Sequence, residues 1–241
     1  MCFKLSETRL WRSWRRSVLP LVCLGLSFGA LIVTLAGCYA IALSNGHLAD
    51  YHDLPPISAL GGKFPEQGLF IAGFVVMCLC CIVTVTFRSA QIDEAAPGHW
   101  ANNLLFILAM LGLPWLVVMS SVSMYSPGWL AVLHLVAAAV ALGLLASYVF
   151  WTSVLSLYLV FRGRGPVVLD SRLSRNARLG MLLFAGVLSL LSPTLFVVWV
   201  SDVSRTPIEW AAVVIIYASL LPYFVVFYHA RQTPGGYSEV N

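Results

Sequence analysis

Residues 67–87 read QGLFIAGFVVMCLCCIVTVTF, a continuous apolar run without a charged side chain. A helix needs about 20 predominantly apolar residues to cross the hydrocarbon core of a bilayer, so this run has the length of one membrane span. Five further apolar segments accompany it, and we place the six spans at about 17–43, 67–87, 103–123, 128–161, 178–200 and 209–228. The sequence therefore predicts an all-α, polytopic membrane protein.

The overall composition agrees with this prediction. Of the 241 residues, 60% are hydrophobic and 10% are charged, and the mean hydropathy is +0.88. A soluble domain carries about 25% charged residues. Transmembrane β-barrels show short alternating segments in place of long apolar runs. We therefore expect residues 1–241 to form a single bundle of six transmembrane helices, with residues 229–241 as a short cytoplasmic tail.

Lysine and arginine are distributed unevenly about the predicted spans. Twelve of the 14 lie in the two terminal tails and after spans 2 and 4, among them Arg88 in the loop after span 2, whereas Lys63 and Arg205 lie on the opposite side. Because basic residues accumulate on the cytoplasmic side, both termini are predicted to be cytoplasmic and the first loop lumenal. The net charge of +4 thus marks span ends that face lipid headgroups, and we expect no nucleic-acid partner.

Residues 54–70, LPPISALGGKFPEQGLF, carry the signals of a shaped loop. The two prolines at 55–56 favour extended backbone. The two glycines at 61–62 predict a turn that glycine makes without steric cost. Pro65 suits the first position of a helix, and Glu66 places negative charge in its first turn. We therefore predict a rigid cap that leads into the second span.

Catalytic signatures are absent from the sequence, which contains no GxSxG, HExxH, P-loop or Rossmann pattern. The histidines and carboxylates of the first loop before the cap are His47, Asp50, His52 and Asp53. Together with Glu209 they could supply zinc ligands, but their spacing fits no standard site, and we interpret them as a solvated polar loop. His134 lies near the lumenal end of span 4, where a hydrogen bond to the first loop or to Glu209 is a simpler account than a proton relay. We therefore expect that the protein is not an enzyme and that it binds neither a cofactor nor a metal.

The C-terminal tail ends GYSEVN at residues 236–241. Tyr237 and Val240 have the spacing of a tyrosine-based sorting signal, on a free cytoplasmic tail a few residues beyond the last span. We expect a clathrin adaptor to read this segment as an endolysosomal address, which is a receptor-read signal and not an anchor. A chance occurrence of a four-residue pattern is the alternative.

The first loop also resembles a known family. The positions that carry the resemblance are Gly46, His47, Pro55, Ile57, Ser58, Gly61, Pro65 and Glu66. In order and spacing they resemble the FRAG/DRAM/SFK family of six-span membrane proteins, most of all the damage-regulated autophagy modulators. His134 is similar to a residue of the family's fourth span, and the Glu209-Trp210 pair to the opening of its sixth. We expect these three residues to hold the cap. Ala59 stands where an aspartate is common in the autophagy branch, which leaves the branch open.

The resemblance implies a non-enzymatic protein of lysosomes or late endosomes that modulates autophagy and lysosome-linked cell death, including apoptosis. Two other branches imply alternatives. One is a plasma-membrane scaffold whose cytoplasmic face recruits a phosphatidylinositol kinase complex. The other is a GPI-anchor lipid remodelling factor of the Golgi or endoplasmic reticulum. The expected partners are membrane lipids, a clathrin adaptor and cytoplasmic proteins.

Overall fold

The computed structural model describes residues 18–51 and 55–162, together with parts of 180–191 and 209–224. The regular elements among these residues are all helices, joined by turns and short loops. They are α1 (Leu19–Ser44), α2 (Ile57–Leu60), α3 (Glu66–Ala95), α4 (Trp100–Ser121) and α5 (Trp129–Phe161). A further segment, Glu209–Phe224, is described in part and is called the C-terminal apolar helix below.

Helices α1, α3, α4 and α5 are long and apolar enough to cross a membrane. They coincide with the predicted spans at 17–43, 67–87, 103–123 and 128–161, so the prediction of an all-helical, multi-pass membrane protein is confirmed for these four. The C-terminal apolar helix falls on the predicted span at 209–228. The predicted span at 178–200 and the tail at 229–241 lie largely or wholly outside the described residues.

Helix α3 continues beyond the predicted end of the second span. Arg88 does not lie in a loop, as the sequence predicted, but inside the helix, where its side chain is 1% exposed. The residues that follow include Ala90, Gln91 and Glu94, which are good helix formers and sustain the helix. It ends only at Ala95, because a proline at 97 disfavours helical backbone in the residue before it.

The bundle is assembled from two close helix pairs, α1 with α3 and α4 with α5, and α4 also packs against α3. At the first of these crossings a Cβ built on Gly73 would lie 2.7 Å from the Cβ of Thr34, so the two helices approach as closely as glycine allows. Such close approach matters in lipid, where packing takes over from the hydrophobic effect as the driving force between helices. One buried cluster draws on all five helices through Cys38, Leu60, Phe70, Leu113 and Ala141.

Candidate functional site: a capped cavity

The cap, defined here as residues 55–66, begins with the extended backbone that its two prolines favour. Pro56 has φ −56° and ψ 146°, the polyproline conformation, and leads into the single turn of α2, whose Leu60 is fully buried. The predicted reason for a glycine at 61 is wrong, because Gly61 has φ −101° and ψ 17°, which other residues also adopt. A Cβ on Gly61 would lie 2.9 Å from the Cβ of Phe70. The position therefore needs space and not conformational freedom.

Glu209 binds the cap from the other end of the chain. The backbone N–H of Ser58 donates a hydrogen bond to Oε2 of Glu209 at 3.2 Å, and the Ser58 hydroxyl donates to Oε1 at 3.2 Å. Ser58 lies in the first turn of α2, whose N–H groups have no partner within the helix. The carboxylate thus satisfies a backbone donor that the short helix leaves open.

Trp210 and His134 lie beside this contact. The indole Nε1–H of Trp210 donates to the carbonyl oxygen of Pro55 at 3.0 Å. His134 is buried, and its Nδ1 donates to the carbonyl oxygen of Val122 at 2.7 Å, just after α4, while its side chain lines the same cavity as Glu209. Glu209 and Trp210 therefore contact the cap directly, whereas the hydrogen bond of His134 fixes the connection between α4 and α5.

His47 attaches the end of α1 to the start of α3. Gly46 has φ 70°, the left-handed region that favours glycine, and turns the chain after α1 so that His47 Nδ1 contacts Oε1 of Glu66. Glu66 is fully buried, and its Oε2 has no hydrogen-bond partner. The thiol of Cys38 donates to the Glu66 carbonyl oxygen at 3.4 Å. Pro65 is the residue directly before α3, one position earlier than predicted, and Glu66 lies in its first turn as predicted.

The interpretation of the first-loop polar residues as simply solvated is wrong for His47, which is engaged with Glu66. Asp50 is exposed as expected, and His52 and Asp53 lie outside the described residues. In the part of the chain that the structure describes, no group of three His, Cys, Asp or Glu side chains is placed to hold a metal ion.

The loop between α4 and α5 forms a third attachment. The Ser123 hydroxyl donates to the carbonyl oxygen of Gly62 at 2.7 Å, and the hydroxyls of Tyr51 and Tyr125 are hydrogen-bonded at 2.6 Å. Partial burial of the phenol raises the pKa of Tyr125, and the hydrogen bond with Tyr51 and the charge of Asp50 act in the same direction. The Tyr125 phenol is therefore neutral at physiological pH and retains its hydrogen bond.

Beneath the cap lies an elongated, partly open cavity of about 260 Å³. Ser58, His134 and Glu209 line its cap end, and Arg88 lines the other. Between these ends the α3 residues on its wall are Phe70, Phe74, Met77, Cys81, Thr84 and Val85. Their spacing of three and four positions defines one stripe of the helix. This stripe of α3 faces an apolar cavity that is polar at both ends.

Arg88 places a buried positive charge at the end opposite the cap. Its Nη1 donates to Oε1 of Gln91 at 3.3 Å, its Nη2 contacts Oγ of Ser156, and its guanidinium lies 5.2 Å from the centre of the Tyr223 ring. Its Nε has no hydrogen-bond partner. Among the described residues, no acidic side chain is ion-paired or hydrogen-bonded to Arg88.

A comparison with protein families decides the affiliation of the chain. The family model described as the Frag1/DRAM/Sfk1/Cwh43P N-terminal domain matches residues 15–230. The chain belongs to this family. The match includes all of the cap, the cavity and the C-terminal apolar helix, so the site described above is part of the family domain. Searches of curated proteins and of solved structures gave no significant match.

Sequence reasoning overlooked two parts of the site. The distribution of basic residues predicts a loop position for Arg88, although the absence of any helix breaker before Pro97 is a signal that it lies within the helix. Ser123 and Tyr125 carry no such signal, because their partners lie in distant segments of the chain. The predicted sorting residues Tyr237 and Val240 lie outside the described residues.

Proposed function

We propose that this chain is a non-enzymatic, six-helix membrane protein of lysosomes or late endosomes that modulates autophagy and lysosome-linked responses, including apoptosis. The observation that carries the proposal is that the polar side chains at the cap form contacts within the protein. Glu209, Trp210 and His47 are each engaged in hydrogen bonds or ion pairs that hold structure together. An acid–base catalyst needs a side chain within reach of a substrate proton. The cap residues instead support a binding or regulatory role.

The six-span topology and the compartment rest on the sequence. An even number of spans places both termini on the same side of the membrane. The excess of basic residues on that side supports its assignment as cytoplasmic. Tyr237 and Val240 then lie in the cytoplasm, where a clathrin adaptor can bind them. Membership of the Frag1/DRAM/Sfk1/Cwh43P N-terminal domain family supports the membrane setting.

The localisation experiment compares the tagged intact protein with Tyr237→Ala and, as a matched control, Ser238→Ala. We expect the intact protein and the Ser238→Ala variant to reach lysosomes and Tyr237→Ala to accumulate at the cell surface. An intact protein found at the plasma membrane would favour the scaffold for a phosphatidylinositol kinase complex. An intact protein found in the Golgi or endoplasmic reticulum would favour GPI-anchor lipid remodelling.

The functional experiment measures autophagic flux during starvation and after DNA damage. We expect flux to change on loss of the protein and in the opposite direction on overexpression. Flux that is unchanged by both would contradict the proposal. The GPI-anchor remodelling alternative is tested in the same knockout cells by measuring the surface levels and lipid composition of GPI-anchored proteins. Normal values would exclude this alternative.

A further inference from the structure

We propose that the cavity binds an anionic phospholipid, with part of one acyl chain inside the cavity and the phosphate group at Arg88. This inference concerns the ligand of the bundle and does not depend on the compartment or on the autophagy role proposed above. It rests on the charge at one end of the cavity, on the length and character of its wall, and on its volume.

The buried guanidinium of Arg88 is the feature that points to a phosphate. A charged side chain in an apolar environment is strongly unfavourable unless it is paired and hydrogen-bonded. Gln91 and Ser156 offer only neutral oxygens, and Nε remains without a partner while the side chain lines the cavity. Guanidinium groups bind phosphate through parallel N–H···O hydrogen bonds, which are stronger than neutral ones. A phosphate at this end of the cavity would supply the missing charge.

The wall of the cavity has the character and length of an acyl-chain site. The stripe of α3 from Phe70 to Arg88 spans 18 positions, which at 1.5 Å per residue is about 27 Å. The hydrocarbon core of a bilayer is about 30 Å thick, and the chains of one leaflet occupy about half of it. The stripe is therefore long enough for one extended chain. Its apolar side chains offer the chain no competing polar contact.

The volume limits how much of the lipid the cavity accepts. At about 260 Å³, the cavity lies just below the range of roughly 300–1,000 Å³ that holds small organic ligands. It therefore has room for part of one acyl chain and not for a whole two-chain lipid. Because the cavity is partly open, the second chain can remain in the bilayer.

The position of Arg88 along α3 favours a lipid of the surrounding membrane. Arg88 lies 22 positions after Glu66, about 33 Å along the helix, so the two residues fall near opposite boundaries of the hydrocarbon core. Arg162 is exposed six positions beyond Ser156, which adds a second cation at the same end of the bundle. A phospholipid headgroup lies at this depth, within reach of Arg88.

The first experiment asks which lipid the full-length protein retains. The protein is purified in detergent, incubated with one lipid at a time, and examined by native mass spectrometry. The probes are dioleoyl phosphatidate, dioleoyl phosphatidylcholine with the same chains, and oleate as a free acid. We expect phosphatidate to be retained about tenfold or more over phosphatidylcholine, because its phosphomonoester carries a net negative charge, whereas the choline cation of phosphatidylcholine offsets the charge of its phosphate. Equal retention of the two phospholipids, or retention of oleate alone, would overturn the proposal.

The second experiment fills the cavity. Gly143 lines the cavity, and a Cβ built there meets no atom within 4 Å, so Gly143→Phe places a ring in the space of the acyl chain. Gly29 also has no atom within 4 Å of a Cβ and does not line the cavity, which makes Gly29→Phe the matched control. We expect Gly143→Phe to lower phosphatidate retention at least about tenfold, and Arg88→Gln to lower it to a similar extent because the charged hydrogen bonds are lost. Gly29→Phe is expected to bind normally.

Each outcome of the second experiment has a meaning. A Gly143→Phe variant that retains phosphatidate as well as the intact protein would place the lipid outside the cavity and overturn the proposal. Melting curves of all variants in lipid-free detergent identify any variant that does not fold. If Arg88→Gln does not fold, the comparison of Gly143→Phe with Gly29→Phe still decides the question.

Discussion

The carboxylate of Glu209 accepts hydrogen bonds from both the backbone N–H and the hydroxyl of Ser58, each at 3.2 Å, across 151 residues of chain. The adjacent Trp210 donates to Pro55. The first turn of the C-terminal apolar helix therefore contacts both the start of the cap and its short helix α2. Through these contacts the last described helix of the chain closes the cavity that α3 and α5 line.

Replacing Glu209 tests how much the cap depends on this contact. We expect Glu209→Ala to lower the stability by about 1–3 kcal/mol, because it leaves the backbone donor of Ser58 without a partner and removes hydrogen bonds to a charged group. Glu209→Gln retains one acceptor and is expected to lose less. Thermal melting in detergent and hydrogen exchange at the Ser58 amide measure the two effects. Unchanged exchange at Ser58 in Glu209→Ala would show that the carboxylate does not hold the cap.

Two glycines of the helix pair α1 and α3 are expected to respond to alanine in opposite directions. Gly73→Ala forces a Cβ against Thr34 and should destabilise the protein by about 1–3 kcal/mol, the usual range for overpacking. Gly29→Ala meets no neighbour and should stabilise α1 by up to about 1 kcal/mol through helix propensity. Melting temperatures of the two variants check the prediction. A Gly73→Ala variant as stable as the intact protein would contradict the close crossing.

The contact of His47 with the buried Glu66 is tested by a double substitution. His47→Ala removes the partner of Oε1 and leaves a fully buried carboxyl group whose Oε2 already lacks a partner. We expect it to destabilise the protein by about 1–3 kcal/mol. Adding Glu66→Leu should restore part of the lost stability, because an apolar side chain at 66 needs no partner. If the double variant is less stable than His47→Ala alone, Glu66 stabilises the fold by some other contact.

The hydrogen bond between Tyr51 and Tyr125 makes a prediction for alkaline pH. The pKa of Tyr125 is raised above the value of about 10 expected in the unfolded chain, so the unfolded state loses its proton first. The stabilising effect of the phenol is complete below about pH 10 and is lost as the pH rises above that value. We expect Tyr125→Phe to be less stable than the intact protein at pH 7, by at most about 1 kcal/mol, and this difference to shrink in alkaline solution.

Melting curves between pH 7 and pH 11 measure this difference. Tyr39→Phe is the matched control. Tyr39 is also exposed, and within the described part of the chain its hydroxyl makes no hydrogen bond. A stability difference between Tyr125→Phe and the intact protein that does not vary with pH would contradict the assignment.

The sequence alone determined the membrane class, the four described spans and the helix-starting role of Pro65 and Glu66. These features depend on local chemistry. An apolar run of about 20 residues has the length and composition of a membrane span, whatever it packs against. Prolines restrict the backbone wherever they occur. The resemblance of the first-loop residues also led to the right family, because their order along the chain can be recognised without knowing their contacts.

Only the tertiary structure decided what the polar residues contact. The partner of Glu209 is Ser58, and that of His47 is Glu66. Arg88 does not lie in a loop but within α3, where it lines the cavity. Gly61 likewise is required by the ring of Phe70 and not by its own backbone angles. A one-dimensional pattern records the composition and length of each helix. It does not record which faces of two helices meet, and in a bundle it is that meeting which buries a charge, leaves a cavity or leaves room only for glycine.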